Sequence, residues 1–491
     1  MKKTALLLFC ALLLASGMSA CGGSGENTKN TEAPGSDTSS APGSESGTEE
    51  AEDEYLTSLD EMDFRKAEYS VIVTRLGNSS ILHPATDSLT GERLNDALYM
   101  RDRKIEDDYN VKIAYPYYAD SSETGMTVAK SVMAGTPICD VYIDALSTGY
   151  QYLGYAFQQK TLYNLVDLPY LQLDKPWWSP LMYEKMMFND KMFFTCGDMS
   201  PYYYGGASCT FMNFRVAADN DIDYSEVYRL VYDGKWTVDE MMLLTKDIKR
   251  DMNGDGVIKI EDDQLGVVND IKSLTAQEIL IGEGIQMISV DGDGNLTVDL
   301  TNQRVIDAVE KAHACFTDWN GSGDLCGCFM SDRALFWTHM VESAIQSLRN
   351  MESDYAILPM PKYDAEQESY MTYINPHTHA FIAVPSVLED PERTGFITEV
   401  MEYLSYKTVR PEVYENTLKG KIARDPDTQA MLDIIFDTAY TDINAVMNFG
   451  GTADALSNGV FYGKEVVSAI DKAKNKIEKN INKMLEIYDA D

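Results

Sequence analysis

Positive charge, histidine and long apolar runs are all scarce in this 491-residue chain. Lysine and arginine number 41 against 78 aspartates and glutamates, which leaves a net charge of −37. A body so acidic is repelled by phosphate backbones and by anionic lipid, which excludes nucleic acid as a partner. With only five histidines the chain contains no His-Glu-x-x-His pair, and it also lacks a Gly-x-Ser-x-Gly elbow and a phosphate-cradling glycine loop. Beyond residue 16 no apolar run approaches the roughly 20 residues that a helix needs to cross a bilayer.

Cysteine is sparse as well, with eight in all. Cys10 and Cys21 lie near the N-terminus, and Cys139, Cys196, Cys209, Cys315, Cys326 and Cys328 lie in the body. A core of this size does not need disulfide staples, and pairing cannot be read from spacing. Cys326-Gly-Cys328 has no second Cys or His pair at zinc-site distance, so it does not make a zinc site.

What is present at the N-terminus is a processing signal. Lys2 and Lys3 precede an apolar stretch from Thr4 to Ser16, and Met18-Ser-Ala-Cys21 resembles a bacterial lipobox with Met in place of the usual Leu. Residues 1–20 are therefore expected to be a signal peptide, with lipid carried on Cys21. Residues 21–55 are dominated by Gly, Ser, Thr, Pro and acidic side chains, too polar to bury a core, and predict a flexible tether. The expected location is the outer face of the cytoplasmic membrane. About 435 residues follow, enough for two large domains.

From Glu68 the pattern alternates. Tyr69 to Thr74 reads as a buried strand, Glu92 to Tyr109 as a helix with a stripe of Leu94, Leu98, Ile105 and Tyr109, and Val111 to Tyr117 as a strand. Met126 to Ala134 reads as a helix, and Cys139 to Ile143 as a strand ending at Asp144. This βαβαβ order predicts a parallel sheet covered by helices, with a ligand site at the carboxyl ends of the strands. A hairpin turning at Asn189-Asp190 follows, then a capping box at Thr237 to Glu240, strands at Ala334 to Met340 and Tyr355 to Leu358, and an amphipathic helix from Lys464 to Tyr488.

Several segments, in this order, resemble the extracellular solute-binding proteins of ABC transporters, family 1, which bind sugars. They are Asn95-Asp-Ala-Leu-Tyr-Met-Arg-Asp-Arg103 with Tyr109-Asn-Val-Lys-Ile113, Lys175-Pro-Trp-Trp178 with Phe188-Asn-Asp-Lys191 and Gly197-Asp198, then Asp233-Gly-Lys-Trp-Thr237 and Ile357-Leu-Pro-Met-Pro-Lys-Tyr363. The resemblance implies an α/β, two-lobe periplasmic-binding-protein-like fold of type II, the maltose-binding type, with hinge strands crossing between the lobes. Tyr202 to Met212 would hold the first crossing and Lys362 to Ala383 the second. The expected division is 56–203 plus 329–375 for an N-terminal α/β lobe, and 204–328 plus 376–491 for a mainly helical C-terminal lobe.

Sugar sites pair aromatic platforms with a few groups that read hydroxyl edges. Candidates are Arg75 and Asn78 after the first strand, Asp144 at the rim of the third, Tyr202, Tyr203 and Tyr204 in the hinge, and Trp337, His339 and Glu342 near the second crossing. Core packing competes for Trp337 and for any single one of the tyrosines, and a solvated helix start competes for Glu342. Trp177 and Trp178 are expected to pack under a loop, and His377 and His379 to share a strand face without forming a metal site.

Asp251-Met-Asn253-Gly-Asp255-Gly256-Val257 leads to Asp262 and places oxygen ligands at loop positions 1, 3, 5, 7 and 12 with Gly at 6, the pattern of a structural Ca²⁺ loop. Lys259 at position 9, and Asp rather than Glu at 12, depart from that pattern. Asp291-Gly-Asp-Gly-Asn295 is explained as a hairpin turn. The function expected is non-enzymatic: a monomer that captures a sugar or oligosaccharide and delivers it to ABC permease subunits. A surface glycan-active enzyme, and an adhesin or sensor without transport, are the alternatives.

Overall fold

In the first strand, Ala67–Val73, aromatic and β-branched residues dominate, and Tyr69, Val71 and Ile72 are buried. The computed structural model of the chain describes residues 54–59, 61–74, 82–116, 123–149, 151–269, 273–290, 296–317, 323–377, 380–418 and 426–489. It divides into two units, Met1–Ser58 and Leu59–Asp491. Of the first unit only the helix Glu54–Ser58 is described.

The second unit is built on two four-stranded sheets. In the first, β1 (Ala67–Val73) pairs in parallel with β2 (Val111–Ala114) on one side and β3 (Val141–Ala145) on the other, and β11 (Ala380–Ala383) closes the edge antiparallel to β3. All five residues of β3 are buried, as a strand covered on both faces requires. The expected helix forms over Arg93–Tyr109, with Leu94, Leu98 and Ile105 buried and Asn110 ending it at φ 47°. Helix Pro391–Thr408 is pinned to β1 by a 2.8 Å hydrogen bond between the Tyr69 and Thr398 hydroxyls.

The second sheet has the order β5-β8-β4-β9, with β4 (Ser208–Asn213) antiparallel to both β8 (Ala334–Met340) and β9 (Tyr355–Leu358), and β5 (Leu265–Val268) parallel to β8. Two short pairs complete the strands. β6 (Ser289–Val290) and β7 (Leu296–Thr297) flank the expected turn at 291–295, whose residues lie outside those described. β10 (Thr372–Tyr373) runs parallel to β12 (Ala439–Tyr440).

Among the described residues, two stretches run between a strand of one four-stranded sheet and a strand of the other. Gly206–Ala207 enters β4 and Ile374–Asn375 returns toward β11; they lie side by side, with Ala207 bridging Ile374 and the Asn375 amide donating to the Gly206 carbonyl at 3.3 Å. Both fall inside the expected crossings. The expected lobe boundaries do not survive, because β8 and β9 belong to the second sheet and β11 to the first. Short apolar strands carry no mark of the sheet they join, and β8 takes its place through register with β4, from Ser208 against Met340 to Met212 against Phe336.

The six body cysteines are free thiols. Trp177 and Trp178 are buried, and their indole nitrogens donate to the two oxygens of buried Glu399 at 2.9 and 3.0 Å, so they pack as expected. Thr237 caps helix Val238–Thr245 by accepting from the Glu240 amide, as the capping box predicts. The hairpin at 188–191 has Asn189 and Asp190 at φ 50° and 55°, the left-handed pair of a tight turn. No described helix is long and apolar enough to cross a membrane.

Candidate functional site

Because β1, β2 and β3 run in parallel, their carboxyl ends share one edge, and the same holds for β5, β8 and β9 in the second sheet. Backbone at such edges meets a topological break and leaves groups available to a ligand. The two crossings tie the edges together. The Leu146 amide, just past β3, donates to the Pro376 carbonyl at 2.7 Å, and the Val341 amide, just past β8, donates to the Ala207 carbonyl at 2.9 Å. The Tyr373 amide donates to the Ser208 hydroxyl at 3.1 Å, and the Asn375 amide group reaches the Met340 sulfur at 3.7 Å.

Asp144 lies at this junction but not at its rim. It is fully buried, accepting from the Ala145 amide at 2.7 Å and from the Tyr142 hydroxyl, and it sits opposite Phe381 of β11. Burial raises its pKa to about 7 against the opposing pull of these hydrogen bonds. Asp144 therefore sets the end of β3 from beneath.

The three tyrosines do not alternate. Tyr202–Gly205 is a turn of helix, and all three rings are buried. Tyr203 donates to the Phe436 carbonyl at 2.7 Å, while Tyr204 donates to Asp198 and packs edge-on against Phe436 at 4.6 Å. Asp198, also fully buried, has its pKa pushed up to about 7 by desolvation. Tyr202 meets the half-buried His83 ring edge-on at 5.8 Å. Sequence reasoning passed over His83, which has no motif to single it out; Arg75 and Asn78 lie outside the described residues.

On β8, Trp337 and His339 share a face, as residues two apart on a strand must. Trp337 is 3% exposed and packs against Phe211 and Phe329 at 5.4 and 5.8 Å, which places it in the core. His339 is half-buried, with its ring 4.8 Å from Trp337 and Nδ1 2.7 Å from the Ser343 hydroxyl. Glu342, also half-buried, opens helix Glu342–Gln346 and accepts from the Gln346 side chain. His377 is half-buried and burial lowers its pKa; His379 lies outside the described residues.

In the 251–263 loop, Asp251 accepts from the Gly254 and Gly256 amides at 2.6 and 2.7 Å, Asn253 from Asp255, and Asp255 from Val257 and from the Lys259 ammonium. Buried Asp263 clasps the loop through the Met252 and Lys259 amides at 2.8 and 2.7 Å. Gly254 and Gly256, at φ 75° and 81°, supply the left-handed turns. Among the described residues no group of three or more His, Cys, Asp or Glu side chains gathers as a metal site.

A separate cavity of about 790 Å³ lies between Pro176, Pro180, Tyr406, Arg410, Tyr414 and Asp437, and contains none of the expected ligand residues.

Two α/β sheets joined by paired crossings define the maltose-binding type of solute-binding fold. No family model and no curated protein matches the chain. Among solved structures, the cyclic α-maltosyl-1,6-maltose binding protein of Arthrobacter globiformis superposes with a TM-score of 0.55 over 85% of this chain and 99% of its own, at 11% identity. UspC of M. tuberculosis superposes with a TM-score of 0.51 over 84% of this chain and 100% of its own, at 13% identity. At such identities the likeness is one of fold.

Proposed function

We propose that the chain is an extracellular solute-binding protein that captures a sugar or oligosaccharide and delivers it to an ABC permease, performing no chemistry itself. The observation that carries this reading is the meeting of both sheets' carboxyl edges at the two crossings; the half-buried His83, His339 and Glu342 are the side chains proposed to read hydroxyl edges there. The neighbour named for binding a cyclic maltosyl-maltose supports carbohydrate as the solute class. Tyr202 packs edge-on against His83, and Arg75 and Asn78 are proposed as further ligand contacts.

In this reading lipidated Cys21 anchors the protein to the outer face of the cytoplasmic membrane, and the 251–263 loop takes Ca²⁺ through Asp251, Asn253, Asp255, the Val257 carbonyl and Asp262. A thermal-shift screen of mono- and oligosaccharides tests the assignment. Stabilisation by a sugar supports it, and stabilisation by peptides or other solutes with no sugar response overturns it. Acyl-chain labelling that is lost in Cys21→Ala tests the anchor.

A further inference from the structure

The C-terminal helix Val466–Tyr488 is an exception to the charge of the chain. It carries five lysines and three acids, Asp471, Glu478 and Glu486, within a protein of net charge −37. Four of the lysines, Lys472, Lys476, Lys479 and Lys483, follow the spacing i, i+4, i+7, i+11. At 100° per residue that spacing holds them in one stripe, about 16 Å long at 1.5 Å rise. All four are exposed, and none makes a hydrogen bond or ion pair among the described residues. Elsewhere exposed lysines are commonly paired, as Lys104 is with Asp108 and Lys112 with Glu68.

The neighbouring face of this helix is already occupied. Val466, Ile470, Ile477, Met484, Ile487 and Tyr488 are buried, and the Tyr488 ring packs against Phe188 and Phe193 at 5.4 and 5.1 Å. The helix therefore has no apolar face to insert into a bilayer and can only present charge. Lysines are strongly hydrated point charges without a planar fork, so a row of them suits many mobile phosphates better than one bidentate ligand. No aromatic ring interleaves the stripe, as stacking on bases would require.

We infer that the Lys472–Lys476–Lys479–Lys483 stripe is a docking surface for the anionic phospholipid headgroups of the membrane, and that it turns this edge of the body toward the bilayer. The inference rests on the anchored reading above, because a tether on Cys21 keeps such a surface within reach. Near a bilayer a Debye length of about 8 Å at physiological salt screens the distant acidic surface while the stripe touches headgroups. Repulsion of the whole body from anionic lipid thus gives way locally to attraction.

The test uses the full mature chain as unlipidated Cys21→Ser, co-sedimented with phosphatidylglycerol or phosphatidylcholine vesicles. Binding should be confined to phosphatidylglycerol and weaken with salt. It should fall about tenfold or more in Lys472→Gln/Lys476→Gln/Lys479→Gln/Lys483→Gln, because each lysine contributes several-fold at an anionic surface. The fourfold Lys→Arg variant should retain it, and unchanged melting temperatures show that both variants are folded. The proposal is overturned if Cys21→Ser does not bind phosphatidylglycerol, if the Gln variant binds as well as its parent, or if the stripe governs binding to polyglutamate but not to vesicles. Attachment of the lipidated chain to neutral vesicles reports on the anchor alone, so failure there overturns the anchored reading and leaves the stripe result to be judged separately.

Discussion

Glu399→Ala separates packing from ligand contact at Trp177 and Trp178. Glu399 accepts from both indole nitrogens at 2.9 and 3.0 Å and from the Gln172 amide at 3.2 Å, all inside the first lobe. Removing the carboxylate leaves two buried indole donors without their acceptor, at about 1–3 kcal/mol each, and opens a small cavity. A loss of roughly 3–5 kcal/mol in unfolding free energy follows. Glu399→Gln keeps one acceptor oxygen but turns an amide donor toward the second indole, so it should lose about 1–3 kcal/mol. Urea unfolding followed by tryptophan emission measures both, with sugar affinity recorded at a denaturant concentration where each variant is folded. If Glu399→Ala unfolds within 0.5 kcal/mol (about the error of such a measurement) of its parent, the packing argument fails. Loss of sugar affinity with stability intact would instead make the tryptophans binding residues.

Other substitutions test other parts of the account. Burial raises the folded pKa of Asp144 from the ordinary aspartate value of 3.8 to about 7, so the folded state binds the extra proton between these pH values. Its contribution is full below pH 3.8 and is lost as pH rises to about 7; Asp144→Asn should flatten that slope in pH-dependent unfolding, and an unchanged slope would exclude Asp144 as its source. Gly395→Ala would place a Cβ 1.9 Å from the Pro169 carbonyl oxygen, and should cost about 1–3 kcal/mol as helix Pro391–Thr408 moves away; an unaltered melting temperature contradicts this. Millimolar Ca²⁺ should raise the melting temperature and chelator should reverse it, with no response in Asp251→Ala; indifference of the parent chain to both removes calcium from the account. Thr237→Ala should lose about 1 kcal/mol by uncapping helix Val238–Thr245, measured by urea unfolding.

The first sheet was legible because its strands follow local rules. Tyr69, Val71 and Ile72 lie inside a β-branched run, the Leu94–Leu98–Ile105 stripe keeps helical period, and both crossings fall where the ordered motifs place them. Partnership between distant strands was not legible. Ala334–Met340 and Ala380–Ala383 are short apolar runs that either sheet could have taken, and long-range register decided between them. The site was only partly legible for a related reason. Tyr203, Tyr204 and Trp337 are large rings that serve a core or a platform equally well, and only their neighbours, Phe436, Asp198 and Phe211, show that they serve the core. His83 gave no signal, since its importance comes from meeting Tyr202 across more than a hundred residues of chain.

The central claim is that two lobes joined at Gly206–Ala207 and Ile374–Asn375 close on a sugar and release it unchanged. Small-angle X-ray scattering of the mature chain, titrated with an oligosaccharide that stabilises it and followed by chromatography of the recovered sugar, measures both halves together. The account predicts a smaller radius of gyration at saturation, reversed on removing the sugar, with the oligosaccharide recovered intact. Cleaved sugar, or saturation by sugar with no change in the scattering, would contradict it.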